Sequence, residues 1–156
     1  CECSPLMRRR SNDRISGPIR DRIDIQRSLS ALSRPELAGA MSTSRSTAEL
    51  APLVAAARTR QHERYAQTPW SLNSDVPGVE LRKRWPVHPD GRALVDHQLR
   101  AQKLNARSAD RILRLAWSVA DLCDHPAPTL DDVDAALALR RGSPLGGPLR
   151  DLVRAS

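Results

Sequence analysis

Arginine 22 stands in the run Arg14-Ile15-Ser16-Gly17-Pro18-Ile19-Arg20-Asp21-Arg22-Ile23-Asp24-Ile25. Glycine gives a turn its backbone freedom, and proline fixes φ for a turn or a helix start. The run therefore predicts a turn, one helical turn over 18–21, and a strand starting near Arg22. That puts Arg22 at a helix-to-strand junction, where its guanidinium projects from the body. A planar, permanently charged group that binds two oxygens at once suits a phosphate. The bland reading is an ion pair with Asp21 or Asp24 beside it.

The remaining reactive residues point to little chemistry of their own. Cys1-x-Cys3 is a weak metal motif, because a zinc site needs about four ligands and no second Cys pair lies nearby. His62, His88, His97 and His125 are scattered and assemble no catalytic triad. No Gly-x-x-x-x-Gly-Lys-Ser/Thr phosphate loop occurs anywhere in the chain. The chain alone is therefore not expected to bind or hydrolyse ATP. Arg8, Arg9 and Arg10 spread over a turn of a short helix expected at about 5–11, started by Ser4-Pro5, and read as a solvated face or a phosphate contact. Trp70 and Trp85 either stack on bases or, more commonly, pin a loop to the core.

These residues need elements to position them. Residues 22–31 alternate, with Ile23, Ile25, Leu29 and Ala31 on one face, and predict one strand whose partners lie elsewhere. Residues 32–46 are Ser/Thr-rich and read as a linker with one turn at 35–40. Ser46-Thr47-Ala48-Glu49 is a capping box that opens a helix over 47–67, with Leu50, Leu53, Val54 and Ala57 on one face. The span 69–88, punctuated by Pro69, Pro77, Gly78 and Pro86, reads as a long loop. Three further helices follow at 89–103, 106–124 and 130–141. The second carries a wide apolar stripe of Ile112, Leu115, Ala116, Val119, Leu122 and Cys123. Gly142 closes the third, and the tail 143–156 is loosely held with one amphipathic turn at 149–153. Four helices make a small bundle. The predicted class is mostly α, with one strand left over from an α/β core.

Composition bounds function loosely. The 156 residues suffice for roughly one domain. There are 25 Lys+Arg against 18 Asp+Glu, a net charge of +7, and only Lys83 and Lys103 are lysine. Such a balance permits nucleic-acid binding without demonstrating it. Three Cys give no disulfide framework, no apolar run reaches the length of a membrane span, and no signal peptide is visible. A chain beginning at Cys1 reads as part of a longer, cytoplasmic protein.

Two blocks resemble a known family. Cys1-x-Cys3-Ser4-Pro5 followed by Ile15-Ser16-Gly17-Pro18-x-x-Asp21-Arg22-Ile23-Asp24, together with the run from Leu104-Asn105-Ala106-Arg107 through Arg111 and Arg114 to Leu122, is similar to the magnesium-chelatase-like AAA+ ATPases of the ComM/YifB type. The chain departs from the family's pattern at Ser11, Ile19, Arg20, Ala109 and Trp117. The resemblance covers about 1–31 and 89–141. It implies that 1–31 is the end of the AAA+ core with its arginine-finger segment, 32–46 a linker, 47–142 the helical lid, and 143–156 a flexible tail. It implies Arg22 as the finger reaching a neighbouring subunit's nucleotide, and Arg114 as the sensor-2 arginine, with Arg111 the near alternative. It further implies ATP and Mg²⁺ in the intact protein, a hexameric ring, and DNA as the substrate in recombination and natural transformation. Cys1 and Cys3 would be half of a metal knuckle whose other ligands lie upstream. The competing reading is a stand-alone basic helical module that binds nucleic acid without ATPase activity.

Overall fold

A computed structural model describes residues 3–27, 29, 31–43 and 45–154, with the backbone alone for 36, 40–43, 153 and 154. The described residues form helices α1 (Pro5–Asp13), α2 (Gly17–Arg22), α3 (Arg34–Thr43), α4 (Thr47–Tyr65), α5 (Gly78–Arg84), α6 (Pro89–Arg100), α7 (Ala106–Cys123), α8 (Leu130–Arg141) and α9 (Gly147–Arg154).

The centre is α7, which packs on α4, α5, α6, α8 and α9. Asn105 starts it by accepting the Ser108 amide at 2.7 Å, and the left-handed residue Asp124 (φ 61°) ends it just before Pro126. Its apolar residues recur every three or four positions. Ala109, Ile112, Leu113, Ala116, Val119 and Ala120 are all buried, each larger one worth about 1.5–3 kcal/mol against solvent exposure. Thr129 and Asp132 form a capping box on α8, and Gly142 closes it at φ 71°. Helices α6 and α8 approach so closely that a Cβ on Gly91 would lie 2.9 Å from the Val133 methyl.

The core joins Tyr65, Val76, Leu81, Val95, Ile112, Trp117, Val133 and Leu137. Trp70 and Trp85 pack against it: Tyr65 meets Trp85 edge-on at 5.0 Å, and Trp70 meets Trp85 at 6.2 Å. This is the loop-pinning arrangement. A buried polar network lies beside it. Arg64 pairs with fully buried Asp121 and stacks 3.9 Å over Trp117. Asn73 donates to Asp121 (2.9 Å) and accepts from the Tyr65 hydroxyl (2.8 Å). Burial pushes the Tyr65 phenol up, with Arg64 opposing.

Several expectations are corrected. No strand forms over the described part of 22–31; from Ile23 the chain is irregular, and Ile23, Ile25 and Leu29 are exposed. Alternation makes a strand only where a neighbouring strand takes up its backbone groups, and none is present among the described residues. The expected single turn near Pro35 is the ten-residue α3. The span 69–88 is not all loop: it contains α5, anchored by buried Leu81. The tail turn extends into α9, whose Leu149 is buried beside Val119 and Ala135. The face expected on α4 is only half used. Ala57 is buried, but Leu50 and Val54 stand exposed on the turns around Pro52.

Candidate functional site: an arginine-lined face on the bundle

Ser16, in extended conformation, precedes α2, and Pro18 lies in its first turn. Ile23 then leaves the helix with extended backbone (φ −86°, ψ 121°), so Arg22 is the last helical residue. Its side chain is exposed and has no hydrogen bond or ion pair among the described residues. Its two acidic neighbours are engaged elsewhere. Asp21 accepts from Ser108 Oγ at 3.0 Å and from Arg140 Nη2 at 2.6 Å, and Asp24 pairs with Arg111 at 3.2 Å. The local ion pair that would have neutralised Arg22 is therefore absent.

Three arginines of α7 have different fates. Arg111 donates to the Asp21 carbonyl at 2.7 Å besides pairing with Asp24, so it is spent on holding the α2 segment. Arg114 does not pair with Asp110 one turn earlier, because Arg82 takes that carboxylate. Instead its Nε donates to the Val76 carbonyl at 2.8 Å, and its two terminal nitrogens have no partner among the described residues. Arg107, in the first turn, is exposed and unpartnered among the described residues. Arg111, Arg114, Asp24, Ser74 and Ser118 line one depression of about 320 Å³. Two guanidiniums and two hydroxyls against one carboxylate leave it cationic, suited to an anion.

The sequence reading placed Arg22 and Arg114 as phosphate-facing groups, and both present free nitrogens. Arg111, the alternative sensor, is bonded to the Asp21 carbonyl and the Asp24 carboxylate. Arg107 lies two positions after the Asn105 N-cap, at the positive end of the helix dipole, where a cation gains nothing from the helix. Cys1 lies outside the described residues. Cys3 is half-buried, and its carbonyl accepts from Arg8 Nε at 3.0 Å. No group of three potential metal ligands occurs among the described residues. Burial, with a smaller push from Asp132, raises the Cys123 thiol above its usual range. No described helix is long and apolar enough to cross a membrane.

Residues 44–140 match the family described as magnesium chelatase, subunit ChlI C-terminal. Uncharacterized proteins of Mycobacterium bovis and Mycobacterium tuberculosis are each 33% identical over 145 residues, covering 90% of this chain and 28% of the relative. The uncharacterized protein YifB of Salmonella typhimurium is 29% identical over 120 residues, covering 77% of this chain and 23% of its own length. The chain thus spans about a quarter of the curated relatives it matches. No solved structure matches it. With α4 to α8 forming the matched bundle, the chain belongs to the magnesium chelatase ChlI C-terminal family, as a magnesium-chelatase-like region of the YifB type.

Proposed function

We propose that this chain supplies the arginine finger and the lid sensor of a ring-forming, ATP-driven AAA+ motor that acts on DNA in the cytoplasm. Arg22 carries the reading. It is exposed at a helix end and unpaired among the described residues, while the acids on either side of it are committed to other arginines. A guanidinium kept free in this way can meet a phosphoryl group held by the adjacent subunit. Fixed positive charge offsets what builds up on the transferred group at little reorganisation cost.

ATP with Mg²⁺, when bound in the intact protein, supplies the phosphoryl group and the metal that neutralises it. The residues of this chain fit only the phosphate end. Arg22 would face it in trans and Arg114, tethered through Nε alone, in cis. The sequence holds no phosphate loop, and no acidic cluster for the metal occurs among the described residues. A hexamer is the assembly that a finger acting in trans would complete, and remodelling of recombining DNA, as in natural transformation, is the task we assign to it. The net charge of +7 and the exposed Arg9 and Arg10 of α1 favour a polyanionic substrate.

The test is turnover of the intact ATPase with Arg22→Ala. An arginine finger is worth roughly a thousandfold or more, so turnover should collapse while nucleotide affinity stays. Unchanged turnover rejects the finger.

A further inference from the structure

The α2 segment is held to the bundle in an unusual way. Its apolar side chains contribute little: Ile15, Ile19, Ile23 and Ile25 are all exposed, Ile19 and Ile25 by 50% each. What holds it is hydrogen bonding from α7 and α8. Arg140, in the last turn of α8, donates Nη2 to the Asp21 carboxylate (2.6 Å) and the Asp21 carbonyl (3.2 Å). Its Nη1 donates to the Ile23 carbonyl at 3.1 Å. One guanidinium therefore grips the backbone on both sides of Arg22. Ser108 of α7 closes the cluster, donating to Asp21 and accepting from Arg140 at 3.1 Å. Arg111 adds a bond to the Asp21 carbonyl. Downstream, the Gln26 amide donates to the Leu139 carbonyl at 2.8 Å, and Arg27 donates to the Ser143 carbonyl at 2.7 Å. From 21 to 24 every residue but Arg22 is tied to α7 or α8.

Building on the finger reading of Arg22, we propose that Arg140, Asp21 and Ser108 form a latch that fixes the finger segment to the lid, so that the two turn as one body. Arg140 and Asp21 are positioning residues. They do not face the nucleotide, but they hold the backbone from which Arg22 projects. A lid that shifts when its own sensor loses a phosphate then withdraws the finger from the neighbouring subunit's nucleotide. The latch is built of charge-assisted bonds, which need angular fit as well as proximity. It is thus a joint with a defined geometry rather than a sliding apolar contact.

Two measurements test this. The first is amide hydrogen exchange on the 156-residue chain, comparing wild type with Asp21→Asn and Arg140→Gln, with the melting temperature as a check that the bundle stays folded. Losing a charged partner should speed exchange across 17–27, the Gln26 amide included, by about tenfold to a hundredfold, with α7 and α8 amides unchanged. Swapping the pair (Asp21→Arg with Arg140→Asp) should recover part of the protection. Unaltered exchange over 17–27 in both single variants overturns the latch, whatever the function of Arg22. The second is steady-state turnover of the intact ATPase carrying Asp21→Asn. The expected result is a kcat falling toward that of Arg22→Ala with KM for ATP unchanged. If Arg22→Ala abolishes turnover and Asp21→Asn leaves kcat intact, positioning is refuted and the finger stands. If Arg22→Ala has no effect, the finger reading falls, and the exchange experiment alone decides whether the segment is latched.

Discussion

The bundle of α4 to α8 and the segment of α1 and α2 are stabilised by opposite means. In the bundle, Ile112, Val133, Ala116 and Ala136 are all at 1% exposure or less, and apolar burial does most of the stabilising. In the segment no residue of α1 or α2 is buried; arginines reaching from α7 and α8 hold the α2 end, and Arg20 of α2 donates to the Asn12 carbonyl of α1. Apolar burial is non-directional and tolerates small shifts. A guanidinium bound to carbonyls and a carboxylate does not. The two regions should therefore fail separately: one by losing its core, the other by losing a few oriented bonds.

The largest effect is expected inside the bundle. Asp121→Ala would strand the Arg64 guanidinium in the interior and leave Asn73 short of a partner, costing about 3–5 kcal/mol. Denaturant unfolding should register it as a lower midpoint. Close behind, Ile112→Ala removes a fully buried side chain from the middle of α7 and should lose about 2–5 kcal/mol. Arg140→Gln should barely move the melting temperature while freeing residues 17–27, visible as faster tryptic cleavage at Arg20 and Arg22. A global destabilisation matching that of Ile112→Ala would erase the contrast between the regions. Ile25→Ala, on an exposed side chain, should change stability by no more than about 0.5 kcal/mol.

The smallest effect concerns pH. The Ser46 amide and hydroxyl hold the Glu49 carboxylate below its usual range. The folded pKa lies below the unfolded one, so this cap contributes fully above the usual carboxylate range. It is lost as pH falls through the lowered value. Acid titration followed by NMR of the Ser46 amide should show the start of α4 loosening while α7 stays intact.

Much of the bundle was legible because its signals are local. Ser46 with Glu49, Thr129 with Asp132, Asn105 ahead of the α7 stripe, and Gly142 each announce a helix end within four residues. The parts that were missed depend on contacts distant in sequence. Helix α5 is seven residues long and owes its place to Leu81 reaching the core, which no periodicity in so short a run reveals. Alternation at Ile23 and Ile25 looks like a strand until one knows that no neighbour among the described residues pairs with it. The grip on Asp21 comes from Arg140, 119 positions away. The acids beside Arg22 suggested a local ion pair, and only the fold shows that α7 and α8 claim them first.

The bond from Arg114 to the Val76 carbonyl means that the sensor we propose is aimed from outside its own helix. Val76 is the next-to-last residue of a connector, 66–77, that Asn73 pins beneath Asp121. Lengthening or shortening that connector by a residue would swing the guanidinium like a pointer on a fixed axle, with α7 itself untouched. If Arg114 is the sensor we propose, relatives that differ only there would read the same nucleotide at a different angle.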